Sequence, residues 1–203
     1  MDYVALRYKK NRGWPWPEVS LGLEPMYGPD GWCPTCAIPK HEQTGSLVLE
    51  RKGLTSARGA WTPYWHDDII CVDTQLATEI SSTFDIELKE IAWPRKSNTQ
   101  AFQLQIPVGS TPWFKPTELE AATIAIHGET GSTCEACGTW RWMGLAPDNV
   151  PPLVDGVLEG AGAIIASPEW FGDARHAYRE VRLVRELAAL LAAKSPQDFG
   201  LRR

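Results

Sequence analysis

Two cysteine pairs constrain this chain more than any other feature of its sequence. Cys33 and Cys36 form the C-x-x-C of "DGWCPTCAIPK", and Cys134 and Cys137 form the C-x-x-C of "STCEACGTWRW". Four thiolates supplied by two such knuckles are typical of a closed, tetrahedral, structural zinc site. We therefore predict that both pairs bind one shared zinc ion and form a zinc-ribbon-like element.

The two pairs lie far apart, with 97 residues between Cys36 and Cys134. Closing a loop of that length costs about 4 kcal/mol of chain entropy. A four-thiolate zinc site contributes roughly 10–16 kcal/mol in small peptides. Because the metal contribution is the larger, the long insertion does not exclude a shared site. Four protein ligands leave no position for water or substrate, so the predicted role of the metal is architectural.

The residue after each pair indicates how the turn beneath the metal is built. Gly138 follows the second pair and adopts positive φ without strain, whereas Ala37 follows the first pair and reaches positive φ only at a cost. We expect a less regular first turn. Two alternatives stay open: a redox dithiol, although a thioredoxin-like βαβ context is missing, and a buried pair of free thiols.

Composition favours a folded chain of 203 residues with 43% hydrophobic residues and a net charge of −5. We predict a single domain over 1–203 with knuckles at 33–36 and 134–137. No apolar run approaches the ~20 residues that span a bilayer, and "MDYVALRYKK" does not resemble a signal peptide. The predicted location is the cytoplasm, where reducing conditions favour metal binding over disulfides.

Hydrophobic periodicity predicts an α+β fold with a mixed or antiparallel sheet and two or three helices. A helix is predicted from an Asp73 cap to Thr83, and a second near a Thr117–Glu120 capping box. A long C-terminal helix is predicted over 173–194, after a start signal at Ser167, Pro168 and Glu169. The predicted strands cover 3–8, 46–50, 67–73, 84–91, 101–107 and 123–128.

The C-terminal run carries a stripe of arginines at helical spacing. Its members are Arg175, Arg179, Arg182 and Arg185. The sequence favours a solvated face that is partly paired with Glu180 and Glu186, with a docking face for an acidic partner as the alternative. The ten tryptophans likewise favour a thick core, with an exposed binding surface as the alternative.

Other polar residues offer weaker candidates for chemistry. Cys71 lies in the apolar run "DIICVDT", close in sequence to His66, Asp67 and Asp68, but a cysteine in such a run is usually a small hydrophobe. His41 and His127 would replace a cysteine ligand only if the four-sulfur site fails. We predict that the protein is not an enzyme.

A nucleic-acid-binding zinc ribbon is the alternative function. "LRYKKNRGWPW" interleaves Arg7, Lys9, Lys10 and Arg12 with aromatic residues, and "TWRW" adds Trp140, Arg141 and Trp142. Such segments can stack bases and hold phosphate. The acidic net charge argues against this function, because nonspecific nucleic-acid binding needs a basic face.

The motifs "CPTC" and "CEACG", followed by "ASPEWFG", resemble the double-CXXCG motif family, known mainly from myxobacteria and other proteobacteria. Some members are described as immunity proteins encoded beside polymorphic toxins. The resemblance implies that Cys33, Cys36, Cys134 and Cys137 are its metal-binding positions. It also implies a cytoplasmic antidote that binds and blocks a cognate protein toxin. Ala37 departs from the family's glycine at the first motif.

Overall fold

The computed structural model describes residues 2–9, 17, 20–50, 58–95 and 99–201. These ranges contain four α-helices and eleven short β-strands. The helices are α1 (Leu23–Tyr27), α2 (Thr74–Thr83), α3 (Pro116–His127) and α4 (Arg185–Lys194). The strands are β1 (Tyr3–Val4), β2 (Leu6–Tyr8), β3 (Ala60–Trp61), β4 (Cys71–Asp73), β5 (Leu88–Glu90), β6 (Ala101–Leu104), β7 (Gly131–Thr133), β8 (Trp140–Trp142), β9 (Ile164–Ala166), β10 (Val181–Val184) and β11 (Phe199–Leu201).

The strands form four antiparallel sheets, which confirms the predicted α+β class. One sheet has the order β3-β4-β6-β5, and a second has the order β1-β10-β9. Two further pairs, β11-β2 and β7-β8, are two-stranded. Helices α2 and α4 pack on the first two sheets and share with them the largest hydrophobic cluster, which contains Leu76, Ile80, Leu187 and Leu191.

The helix predicted after Asp73 is confirmed, and the buried strand predicted over 67–73 forms only over Cys71–Asp73. The Asp73 carboxylate accepts a 2.8 Å hydrogen bond from the Leu76 N–H, which caps the helix. Leu76 and Ile80 are buried, and Phe84 packs beside them at the end of the stripe. β4 pairs with β6 in a register that places Val72 opposite Phe102.

The N-terminal strand forms as predicted on its inner face but divides between two sheets. Val4 and Leu6 are buried and Tyr8 is half-buried. β1 pairs with β10, whereas β2 pairs with β11. Of the strand predicted over 46–50, only isolated bridges form, although Leu47 and Leu49 are buried. The strands predicted over 84–91 and 101–107 shorten to β5 and β6.

The prediction of a long C-terminal helix over 173–194 is wrong, because the final helix, α4, has ten residues. Val181–Val184 is instead a strand whose four residues are all buried, paired on both sides by β1 and β9. β-branched valines favour a central strand, and these tertiary pairings override a helix-like spacing. Arg182 is 8% exposed and donates to Glu180 at 2.9 Å, so it does not belong to a solvated stripe.

The start signal at 167–169 serves another segment. The Ser167 hydroxyl donates to the Glu169 carbonyl oxygen at 3.0 Å, and the Glu169 carboxylate accepts from the Trp113 N–H at 2.7 Å. The Phe114 N–H donates to the same carboxylate oxygen at 3.3 Å. Glu169 therefore caps backbone groups more than fifty residues upstream, and no helix begins at 167–169.

The strand predicted over 123–128 is also wrong, because α3 continues through it to His127. The helix begins at Pro116, so Thr117 lies in the first turn and not at the predicted N-cap. Gly128 ends the helix with a φ of 76°. Among the helices of the described ranges, none is both long and apolar enough to cross a membrane.

The tryptophans divide between core and surface. Trp32, Trp61 and Trp113 are buried, whereas Trp65 and Trp140 are about two-fifths exposed, at 42% and 41%. The candidate nucleic-acid residues Lys10 and Arg12 lie outside the described residues, as do Trp14 and Trp16.

Candidate metal centre

Four cysteine sulfurs from the two ends of the long insertion meet at one point. The ligand atoms of Cys33, Cys36, Cys134 and Cys137 all lie within 4.8 Å of one another. The Cys33 and Cys134 sulfurs are 3.8 Å apart, and the Cys36 and Cys137 sulfurs are 3.6 Å apart. A tetrahedral ion with bonds of about 2.3 Å to sulfur holds its ligands about 3.8 Å apart. The four positions therefore fit one tetrahedral metal ion.

The two turns that present these sulfurs have matching backbone hydrogen bonds. In the first, the Ala37 N–H donates to the Cys33 carbonyl oxygen at 2.7 Å and the Cys33 N–H donates to Ile38 at 2.9 Å. In the second, the Gly138 N–H donates to Cys134 at 2.8 Å and the Cys134 N–H donates to Thr139 at 2.9 Å. Each cysteine pair thus sits at the tip of a small hairpin, as in a zinc ribbon.

The residue after each pair has a left-handed backbone in both turns. Ala37 has a φ of 64° and Gly138 has a φ of 73°. The expectation of a less regular first turn is therefore wrong for the backbone, because alanine adopts the conformation that glycine adopts in the second turn. The difference between them is energetic, since the alanine Cβ makes this conformation costly.

Short antiparallel pairings hold both turns in place. β7 and β8 flank the second turn, with Thr133 opposite Trp140. A Trp32–Pro39 bridge closes the first turn. At the open end of the β7-β8 pair, Gly131 lies so close to Arg141 that a Cβ would overlap the Arg141 carbonyl oxygen. Glycine is thus required at the base of the second hairpin.

The sulfurs have different protonation tendencies in the metal-free geometry. A hydrogen bond with the Thr139 hydroxyl, 3.3 Å from the sulfur, lowers the pKa of Cys137 to about 6. At Cys33, burial acts to raise the pKa, whereas hydrogen bonds from the backbone of Cys36 and Thr35 act to lower it. The net effect is a lowered pKa. Burial raises the pKa of Cys36. A cation among the sulfurs would favour the thiolate form at all four.

The centre is enclosed by side chains that the cysteine spacing did not indicate. Ile38, Trp170 and Ala177 pack against the cysteines, three of which are buried while Cys137 is half-buried. The Arg179 guanidinium stacks over Trp170 at 3.9 Å and donates to two carbonyl oxygens, of Ser167 and Pro168, at 2.6 Å each. The helical interpretation of 173–194 hid this contribution, because it placed Arg179 in solvent.

The donor set decides which metals suit the centre. Four thiols and no carboxylate converge, and soft thiolates select zinc, Cu(I) or iron–sulfur chemistry over magnesium or calcium. Four ligands complete a tetrahedron, so no coordination position is left for substrate. The arrangement can bind a metal ion and tie together two segments that are 101 residues apart.

The other candidate residues do not converge on this centre. Cys71 is buried in β4, and burial raises the pKa of its thiol. His66 Nε2 lies 2.7 Å from the Leu21 carbonyl oxygen, Asp67 pairs with His176 at 3.3 Å, and Asp68 accepts from the Arg179 N–H at 3.2 Å. Burial raises the pKa of the Asp68 carboxyl. His66 thus contacts the segment before α1, whereas Asp67 and Asp68 both contact the segment 176–179.

The two fallback histidine ligands bind carbonyl groups elsewhere. His41 Nδ1 lies 2.7 Å from the Glu42 carbonyl oxygen, and His127 Nε2 lies 2.8 Å from that of Gly144. Because the four sulfurs converge without them, neither histidine is needed as a ligand. The prediction that the protein is not an enzyme stays a prediction.

The "TWRW" segment forms β8, and its side chains divide between surface and interior. Trp140 is exposed and meets Trp142 edge-on, with ring centroids 5.6 Å apart. Arg141 is buried and donates to the Ala174 carbonyl oxygen at 2.6 Å. Its guanidinium is therefore engaged in the fold rather than presented to phosphate.

Comparison of the chain with protein-family models, with curated proteins and with solved structures finds no match. The case for a metal centre consequently depends on the convergence of the four sulfurs.

Proposed function

We propose that this protein is a zinc-stabilised binding protein that neutralises a cognate protein toxin. The observation that carries the metal part is the convergence of Cys33, Cys36, Cys134 and Cys137 within 4.8 Å. Zinc suits an all-sulfur tetrahedron that is fully occupied by protein ligands, and in that role it is structural. The toxin part is supported by the resemblance of the two cysteine motifs to the double-CXXCG family.

The net charge and the surface aromatics are compatible with a basic protein partner. A chain of net charge −5 is attracted to a basic target, which speeds association at low salt. Trp65 and Trp140 are exposed, and tryptophan is favoured as an anchor at protein interfaces. A basic nuclease or similar toxin domain fits both properties.

Metal content of the purified protein tests the zinc part. We expect about one zinc ion per chain in the wild type and in Cys71→Ala, because Cys71 lies outside the centre. Cys134→Ser should lower the zinc content strongly. A metal-free wild type, or equal zinc in all three proteins, would contradict the proposal.

Co-purification with the product of the adjacent gene tests the toxin part. The tagged, zinc-loaded protein should retain that product and suppress its toxicity in co-expressing cells. Trp140→Ala serves as an interface variant, with Val108→Ala as an exposed apolar control. A folded, zinc-loaded protein that fails to bind the neighbouring product would refute this part alone and leave the metal centre intact.

A further inference from the structure

The four cysteines of the metal centre differ in how far solvent reaches them. Cys33, Cys36 and Cys134 are buried, with exposed fractions of 1%, 0% and 4%, whereas Cys137 is half-buried. The two residues that flank Cys137 in the chain are exposed at the tip of the second turn. Oxidation of thiols follows their access to the oxidant. A small oxidant in solution therefore meets Cys137 before it meets the other three.

A second sulfur lies in contact with that of Cys137. The Cys36 Sγ is 3.6 Å from the Cys137 Sγ, and the Cys33 Sγ is 3.8 Å from the Cys134 Sγ. Both of these contacts run from one turn to the other. The sulfurs of Cys36 and Cys137 need to approach by about 1.5 Å to reach the S–S bond length of about 2.05 Å. An oxidised Cys137 thus has a partner thiol beside it, and that thiol belongs to the other turn.

Hydrogen bonds that do not involve sulfur keep the two turns as neighbours. The Arg175 Nε donates to the Pro34 carbonyl oxygen in the first turn at 2.9 Å. The buried Arg141, which lies in β8 after the second turn, donates to the Ala174 carbonyl oxygen at 2.6 Å. Because Ala174 and Arg175 are adjacent in the chain, this short segment connects the first turn to β8. The contact between the Cys36 and Cys137 sulfurs therefore has support from the surrounding fold.

We propose that Cys137 is the site at which hydrogen peroxide oxidises this protein, and that Cys36 then forms a disulfide with it. The Cys137 sulfur attacks one peroxide oxygen and the O–O bond breaks, which leaves a sulfenic acid at Cys137 and releases one water. The Cys36 sulfur then attacks the Cys137 sulfur, the S–O bond breaks, and the hydroxyl leaves with the thiol proton as a second water. In total, two thiols lose two electrons and two protons, and one peroxide is reduced to two waters.

The disulfide connects the same two segments that a metal ion would connect. Cys36 and Cys137 are 101 residues apart, and a cross-link that closes so long a loop restricts the unfolded chain far more than one within a C-x-x-C pair. The reaction also removes two of the four thiolates, so an ion bound at the centre loses half of its ligands. This last consequence rests on the proposed zinc, whereas the disulfide itself does not. Oxidation thus exchanges a metal connection between the turns for a covalent one.

Peptide mapping of the full chain, oxidised as purified with hydrogen peroxide, tests the pairing. Trypsin cuts between the two turns but not within either pair, because no Lys or Arg lies between Cys33 and Cys36 or between Cys134 and Cys137. A disulfide between the turns therefore joins two tryptic peptides, whereas a disulfide within one turn does not. We expect the monomer to give joined peptides that fragmentation shows to be linked through Cys36 and Cys137. Disulfides within the turns, a predominant Cys33–Cys134 link, or further oxidation of Cys137 without a disulfide would overturn the proposal.

Substitutions separate the two reacting thiols from the other cysteines. Cys137→Ser should slow the peroxide-dependent loss of the remaining thiols of the centre by at least about tenfold. Cys36→Ser should abolish the main link and leave a sulfenic acid at Cys137 that dimedone traps. Cys134→Ser is the matched control, because it removes one sulfur from the same turn but keeps both reacting thiols, and it should still form the link. Cys71→Ala, at a buried position outside the centre, should behave as the wild type. Loss of the link in Cys134→Ser as complete as in Cys36→Ser would overturn the assignment.

Stability in the presence of a chelator tests whether the disulfide connects the turns. With zinc removed from both samples, the thermal midpoint of the oxidised chain should exceed that of the reduced chain by at least about 5 °C. Equal midpoints would overturn the proposed connection. Neither this measurement nor the peptide map reads metal, so a purified chain without zinc would refute the metal part of the proposed function and leave the disulfide to be decided by its own result. If zinc is present, we expect the release of about one ion per disulfide formed.

Discussion

At the scale of single residues, the two cysteine turns differ by one methyl group in the residue that follows each pair. Ala37 and Gly138 both have positive φ, with values of 64° and 73°. We expect Ala37→Gly to raise the free energy of unfolding by about 0.5–1 kcal/mol, because relief of left-handed strain outweighs the added freedom of the unfolded chain. Denaturant unfolding at fixed zinc concentration measures the change.

The reciprocal substitution is the matched control. Gly138→Ala should destabilise by about 1 kcal/mol through backbone strain alone, since a Cβ there meets no atom within 4 Å. Gly128→Ala, at a φ of 76° and equally unobstructed, reports the same strain far from the sulfurs. Destabilisation by Ala37→Gly would mean that the methyl group contributes packing that exceeds its strain.

The residues of the centre were predictable only where the signal is local. The C-x-x-C spacing is the one that a zinc knuckle requires, so it indicated the four ligand positions. The structure brings the sulfurs at these positions together, at Cys33, Cys36, Cys134 and Cys137. Thr139 was detectable in principle, because it lies two residues after Cys137 and immediately before β8. Trp170 and Arg179 were not, because their place at the centre depends on how distant segments pack.

At the scale of elements, α3 shows how exposure separates a helix from a strand. The sequence "TIAIHG" resembles a β-prone run, yet Ile124 and Ile126 are 47% and 46% exposed while Leu119 is buried. We expect Ile124→Ala to change the free energy of unfolding by less than about 0.5 kcal/mol. Leu119→Ala should cost about 2–5 kcal/mol. A large loss at Ile124, measured by denaturant unfolding, would indicate that this face is covered.

The arginines of the C-terminal segment provide a second test at this scale. If these arginines formed a solvated helical stripe, replacing any one of them by alanine would change the stability by a similar, small amount. The structure instead places Arg179 against Trp170 and two carbonyl oxygens, whereas Arg185 is exposed and paired with Asp2. We expect Arg179→Ala to destabilise by about 2 kcal/mol.

Arg185→Ala is the control for that substitution, and it should leave the thermal midpoint unchanged because exposed ion pairs contribute little. Arg179→Lys separates charge from geometry, since lysine keeps the charge but loses the planar fork and the stack. Equal midpoints for Arg179→Ala and Arg185→Ala would contradict the placement of Arg179.

The elements that the sequence predicted correctly are those with local signals. Asp73 caps α2 through its own side chain, and the alternation of Val4, Leu6 and Tyr8 is visible within six consecutive residues. The strand Val181–Val184 was not predicted, because the spacing of its apolar residues also fits one face of a helix. Its identity depends on pairing with Tyr3–Val4, which comes from the opposite end of the chain.

At the scale of the whole molecule, the fold class was predictable and the topology was not. Alternation and helical periodicity are enough to indicate α+β, but they do not say which strands pair. The chain ends meet through β1-β10 and β2-β11, and neither pairing has a local signal. The convergence of the four cysteines is a similar long-range contact, but it could be predicted because cysteine spacing carries chemical information that apolar residues lack.

Removal of the metal is the prediction that belongs to the whole molecule. If one ion binds all four cysteines, as we propose, chelation should abolish amide-exchange protection at Ala37 and Gly138 together, although they lie at opposite ends of the insertion. The β4–β6 ladder around Val72 should stay protected, because it belongs to a core cluster that excludes the cysteines. Hydrogen exchange before and after zinc is restored measures both regions, with Cys71→Ala as a control that keeps the metal. Loss of protection in one turn alone would show that the two knuckles do not share an ion.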